Sequence, residues 1–151
     1  MDNLYATKMT IERRIMYDVL NPIPPLSLPA FNKSFKKSHT FEERYAESTR
    51  IKKHYPERIP IICERSSSSP NMPIIDKSKY LVPIDLTTGQ FIYVIRKRLR
   101  LPAEKSLIFF INGSIPSSNV PFKTLYDKNK DADGFLYVQY GSENTFGFNR
   151  I

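Results

Sequence analysis

Lys79-Tyr80-Leu81-Val82-Pro83-Ile84-Asp85-Leu86-Thr87-Thr88-Gly89-Gln90-Phe91 decides the fold, because a strand, a break and a helix start follow one another within it. Lys79 to Pro83 is rich in residues that suit a pleated surface and reads as a strand. Thr87-Thr88-Gly89-Gln90 is a capping box: the Thr87 hydroxyl can accept an N–H of the first turn while Gln90 reaches back to the cap. The helix it opens places Phe91, Val94, Ile95 and Leu99 on one face, the stripe of a helix packed on a core. Its basic end, Arg96-Lys97-Arg98-Leu99-Arg100, suits the negative pole of a helix.

Toward the C-terminus, Ser106 to Ile111 reads as a third strand turned by Asn112-Gly113. A short helix near Phe122 to Tyr126 then leads to a last strand, Phe135 to Tyr140. Toward the N-terminus, Arg58 to Glu64 is β-branched and reads as a buried strand, with Pro60 requiring a bulge or an edge because it has no N–H. Thr40-Phe41-Glu42-Glu43 is a second capping box, opening a charged helix through about Lys53. A basic turn at Phe35-Lys36-Lys37 precedes it. The loop Arg65 to Lys77, with Ser66 to Ser69 and Pro70, reads as a flexible connection. Two helical segments followed by ββαβαβ make an α+β roll, a mixed sheet with helices packed on it.

Composition shifts near Asn32. Residues 1–31 read as an extension: Leu4, Met9, Ile11, Ile15, Met16 and Val19 recur at roughly helical spacing, and Asn21 to Pro29 is too proline-rich for a helix or central strand. Residues 32–147 read as the domain with its tail.

The net charge of +8 and pI near 9.6 favour acidic partners such as nucleic acid, anionic headgroups or acidic peptides. The single cysteine, Cys63, sits in an apolar run and reads as a small buried hydrophobe rather than a nucleophile. His39 and His54 lie among charged helical residues with no metal-ligand spacing. No set of acid, base and nucleophile is visible, so an enzyme is not expected, and neither is a cofactor or metal. The chain has no apolar run of spanning length and no signal-peptide pattern, which makes a cytoplasmic location the expectation.

After the last strand, Gly141-Ser142-Glu143-Asn144-Thr145-Phe146-Gly147 is polar and ends on glycine, with Phe148-Asn149-Arg150-Ile151 as overhang. A glycine carboxylate has no Cβ and can enter a narrow active site in conformations closed to other residues. The tail has the pattern of a carboxylate that is exposed and then transferred.

Several ordered motifs carry a resemblance. Tyr55 to Glu64, Asp76 to Pro83, Asp85 to Phe91, Ile95 to Arg98, Asp133 to Tyr137 and Glu143 to Gly147, spread over about Phe35 to Gly147, resemble the autophagy ubiquitin-like modifier family, also called the GABARAP family. The resemblance implies a ubiquitin-like β-grasp roll with two additional N-terminal helices. It implies a processing cysteine protease that cuts after Gly147, leaving 148–151 as a removed propeptide. Activating and conjugating enzymes would then pass the new carboxylate to phosphatidylethanolamine, placing the protein on autophagosomal membranes. It also implies docking of receptors with aromatic-x-x-aliphatic motifs as a strand added beside Lys79 to Pro83. The aromatic pocket maps to Glu47, Ile51, Pro60, Ile62, Lys79, Leu81 and Phe135, and the aliphatic pocket to Tyr80, Val82, Pro83, Leu86, Val94, Ile95 and Arg98. Strand alternation agrees, since Lys79 and Leu81 share one face and Tyr80 and Val82 the other.

Two rivals remain at this point. A non-conjugated peptide-binding adaptor of the same fold differs only in whether Gly147 becomes the terminus. A basic nucleic-acid-binding module needs aromatics interleaved with basic residues on an exposed platform, whereas most aromatics here fall at core positions.

Overall fold

The computed structural model describes residues 34–143. The extension 1–31, its helical spacing and its proline linker lie outside the described residues, as do Gly147 and the overhang. The described helices are α1 (Phe35–Ser38), α2 (Phe41–His54), α3 (Thr88–Leu99) and α4 (Phe122–Asn129). The strands are β1 (Arg58–Arg65), β2 (Lys79–Pro83), β3 (Ile108–Phe110) and β4 (Leu136–Gly141).

Both capping boxes form. Thr40 Oγ1 accepts the Glu43 N–H at 3.1 Å while a Glu43 carboxylate oxygen accepts the Thr40 N–H at 2.9 Å. Thr87 and Gln90 repeat the exchange at 3.2 and 2.9 Å. Each box satisfies two backbone donors that a helix start otherwise leaves without an intrahelical partner. Asn112 and Gly113 both take positive φ, 49° and 79°, as a two-residue primed turn requires, and Ile111 bridges Ser114 across it.

The strand order is β2-β1-β4-β3, with β1 and β4 parallel at the centre and the outer strands antiparallel to their neighbours. Cys63 N–H to Ser78 O at 2.7 Å and Ile84 N–H to Glu57 O at 3.2 Å fix the alternation of the β1–β2 ladder. In that register Ile61 with Tyr80 and Ile59 with Val82 are the hydrogen-bonded pairs, while Pro60 opposite Leu81 is not. Pro60 therefore aims its missing donor toward the β4 side, and β4 begins pairing only at Ile61. The strand is locally an edge there, so no bulge is needed.

The sheet buries a cluster on each face. The larger gathers Ile59, Ile61, Cys63, Tyr80, Val82 and β4 residues against Leu86, Phe91, Val94, Ile95 and Leu99 around α3, with Phe122 and Leu125 of α4. The smaller is Phe35, Ile51, Ile62, Leu81 and Phe135, under α1 and α2. Cys63 is fully buried, and burial, with Glu64 beside it, pushes its thiol far above the ordinary range, which keeps the reactive thiolate form out of reach.

The loop after β1 departs from the flexible connection expected of it. Met72 and Ile75 pack into the large cluster, and Ser66 and Ser69 are buried. Tyr140 Oη accepts the Ile75 N–H at 2.9 Å and donates to the Pro73 carbonyl at 2.6 Å, while Arg65 donates to the Met72 carbonyl at 2.9 Å. Serine-rich composition did not prevent ordering because the apolar side chains downstream anchor the segment.

Candidate functional site

The ladder register sets what β2 presents. Tyr80 and Val82 spend their backbone groups on β1, so Lys79 and Leu81 turn theirs to the outer edge. There the Leu81 carbonyl accepts the Arg58 guanidinium at 3.1 Å. Among the described residues β2 is an end strand, the geometry that strand addition uses.

Side chains split across the strand. Ile51, Ile62, Leu81 and Phe135, four of the expected aromatic-pocket residues, form one cluster. Tyr80, Val82, Leu86, Val94 and Ile95, five of the expected aliphatic-pocket residues, lie together in the large core. Pro60 and Pro83 sit buried at the β1–β2 pairing, and Arg98 flanks the site in a bidentate ion pair with Asp76 at 2.8 and 2.9 Å. The two sets therefore lie on opposite faces of one edge strand, joined through its backbone. Thirteen of these fourteen residues are buried, Arg98 being the exception, so their walls close on themselves in this structure. Tyr80 is the extreme case: its ring stands edge-on to Phe91 at 5.3 Å and its hydroxyl donates to the Lys77 carbonyl at 2.6 Å. It is a core residue first.

The aromatic set carries buried charge. Glu47 is 6% exposed and receives Arg50 Nε at 2.9 Å, while Lys79, 4% exposed, places Nζ 3.7 Å from its other oxygen. Buried carboxylate and ammonium groups are tolerable only when matched in this way. Lysine at an outer edge reads in sequence as a solvated charge, and its burial was not foreseen.

Phe35 was also missed. The sequence reading treats it as part of a basic turn, yet its ring packs edge-on to Phe135 at 5.2 Å and its N–H donates to Glu64 at 2.7 Å. Burial raises the Glu64 carboxyl above its ordinary range, while that hydrogen bond and the Lys36 charge act the other way. An isolated aromatic after Ser34, in a run otherwise basic and polar, was the available signal.

A polar hub holds α1 and α2 on this face. Asp133, fully buried, pairs with Arg44 Nε at 2.9 Å, accepts the Phe135 N–H at 2.9 Å and receives the Tyr137 hydroxyl. Arg44 also donates to the Lys36 and His39 carbonyls, tying α1 to α2. Ser48 donates to the Asp133 carbonyl. Gly134 next to it has φ +91°, and a Cβ there would come within 2.3 Å of Ser48 Oγ, so only glycine fits. Tail geometry ends at Glu143, whose N–H donates to Ser106 Oγ at 3.0 Å.

Known proteins share this sequence pattern and fold. The family described as "Autophagy protein Atg8 ubiquitin like" matches residues 43–147. Autophagy-related protein 8c of Arabidopsis thaliana is 53% identical over 116 residues, 77% of this chain and 97% of that protein. Autophagy-related protein 8 of Kluyveromyces lactis is 55% identical over 114 residues, 76% of this chain and 91% of that one. The crystal structure of Trypanosoma brucei ATG8 superposes with a TM-score of 0.70 at 43% identity, covering 77% of this chain and 99% of that one. The family match, the sequence identities and the structural superposition agree: the chain belongs to the Atg8 family of autophagy ubiquitin-like modifiers, which are not enzymes.

Proposed function

We propose that this autophagy modifier is cut after Gly147, joined through the new carboxylate to phosphatidylethanolamine, and docks receptor peptides of the aromatic-x-x-aliphatic kind along the outer edge of β2. The observation that carries the docking reading is the division made by β2: Leu81 and Lys79 on one face, Tyr80 and Val82 on the other, and the Lys79 and Leu81 backbone groups turned outward. An added strand bonds to those groups and sends alternate side chains toward the two sets. Because the sets are closed here, a ligand must open them, and the Glu47–Lys79 pair beside Leu81 is the polar part of that wall. Acidic residues flanking a peptide meet a basic rim of Lys77 and Arg98.

For the conjugation chemistry this chain supplies the reacting carboxylate and no catalytic side chain. Water hydrolyses the Gly147–Phe148 amide; the new carboxylate attacks ATP to form an acyl adenylate and release pyrophosphate; an enzyme thiol displaces AMP to give a thioester; the lipid amine then attacks the thioester carbonyl, forms the amide and releases the thiol. Two acyl chains, each contributing about 0.8 kcal/mol per buried CH₂, hold the product on a membrane where one chain is marginal. This places the conjugated form on autophagosomal membranes, in company with a processing protease, an activating enzyme and a conjugating enzyme.

Gly147→Ala tests the conjugation reading. The expected outcome in cells is a full-length precursor by intact mass that remains in the membrane-free fraction. A lipid-linked Gly147→Ala protein would remove Gly147 from the role assigned to it.

A further inference from the structure

All five residues of β2 are buried, although among the described residues the strand has a neighbour on one side only. Lys79, at 4% exposure, is the informative one, since lysine at an outer edge ordinarily keeps its ammonium in water. That burial comes from the two faces, Glu47 and the small cluster on one side and the large cluster on the other, so the outer edge itself presents backbone, the Lys79 and Leu81 groups turned away from β1, to which a strand-like ligand would pair.

The chain carries such a ligand. Of the aromatic residues ahead of Ser34, Tyr5 is followed at the fourth position by Lys8 and Phe31 by Ser34, but Tyr17-Asp18-Val19-Leu20 is an aromatic-x-x-aliphatic segment. We propose that Tyr17 to Leu20 docks on the outer edge of β2 in its own chain and competes there with receptor peptides; this rests on the docking reading above. Tyr17 belongs with Ile51, Ile62 and Leu81, and Leu20 with Val82 and Leu86. Asp18 brings an acid toward the rim of Lys77 and Arg98.

Reach and tether agree. Asn21 to Lys33 separates the motif from Ser34 and includes Pro22, Pro24, Pro25 and Pro29. At about 3.1 Å per residue an extended linker of this length spans about 40 Å, against a radius of gyration of about 13 Å for a domain this size. Phe35, just past the linker, is packed in the same cluster as Leu81 and Ile62, so the leader joins the domain beside the site. A tether this short holds its motif at an effective concentration on the order of 1 mM. A motif of micromolar strength then occupies the edge most of the time, and the apparent Kd of an incoming peptide rises by the inverse of the open fraction.

The test uses the full chain as wild type, as the double variant Tyr17→Ala with Leu20→Ala, and as Tyr5→Ala. Each is titrated into a fluorescein-labelled synthetic peptide carrying tryptophan, two alanines and leucine behind two aspartates, with anisotropy as the readout. The double variant should bind roughly a hundredfold or more tighter than wild type, and Tyr5→Ala should match wild type. Equal binding by wild type and double variant overturns the leader's role while leaving the β2 site standing. Absence of binding by all three overturns both. A gain that disappears on dilution, with wild-type dimers in sedimentation that the double variant lacks, assigns the motif to a second copy and overturns docking within one chain.

Discussion

The two faces of the sheet are closed by different chemistry. Under α3 and α4 the seal is aromatic and aliphatic: Phe91 meets Tyr80, Phe109 and Phe122 at centroid distances of 5.3, 5.6 and 5.3 Å. Under α1 and α2, among the described residues, five buried apolar residues cluster with the half-buried Tyr55 and Tyr137, and Asp133, Arg44, Ser48, Glu47 and Lys79 complete the seal with hydrogen bonds and ion pairs. Apolar packing is non-directional and tolerates small shifts, whereas a buried polar seal holds only while every partner is matched. A ligand that opened both sets would therefore meet two kinds of resistance, hydrocarbon packing on the first face and an exchange of polar partners on the second.

The largest expected effect tests the apolar face. Phe91→Ala removes the ring that three other aromatics share and should cost about 4 kcal/mol, read as a lowered urea midpoint. A loss near 1 kcal/mol would mean that α3 is not the keystone of its side.

Asp133→Ala should cost about 3 kcal/mol, because it strands the Arg44 guanidinium and frees the Phe135 N–H. The comparison sharpens if hydrogen exchange accelerates in α2 while α3 keeps its protection. Equal acceleration in both helices would show one cooperative unit and dissolve the distinction.

The smallest effect is alkaline. Burial, then the hydrogen bond to Asp133, raises the Tyr137 phenol well above its ordinary value, and burial pushes Tyr140 up to about 12. The folded protein thus keeps protons that the unfolded chain releases near pH 10. Their contribution is complete below that pH and is lost as pH rises through 10 toward the folded values, so melting temperature should fall across pH 9 to 11.5. Tyr137→Phe should flatten that slope. An unchanged slope would remove Tyr137 from the polar seal.

What could be seen in the sequence was local. Thr40 with Glu43 and Thr87 with Gln90 sit three residues apart, and their boxes form as read. The α3 stripe and the alternation of β2 also follow from short periods. Ends were less legible: β3 stops at Phe110 because Ile111 serves the turn, and α4 runs on to Asn129, whose amide donates to the Leu125 carbonyl. Contacts between distant residues were invisible. Arg44 and Asp133 are 89 positions apart, and no spacing rule connects them. For the same reason residues read as pocket walls emerged as buried, because burial depends on what packs over a strand and not on the strand alone.

The central placement of β4 also sets how the molecule carries load. The last strand of the described domain lies between β1 and β3 and ends at Gly141, so tension on the C-terminal tail enters at the middle of the sheet. It meets hydrogen bonds on both flanks at once, along the strand direction, and must shear them together. An edge strand pulled the same way would have one ladder to resist with instead of two. If the proposed docking at β2 and anchoring at the tail hold, the β4–β1–β2 ladders join the two, and the sheet itself is the tensile member between them.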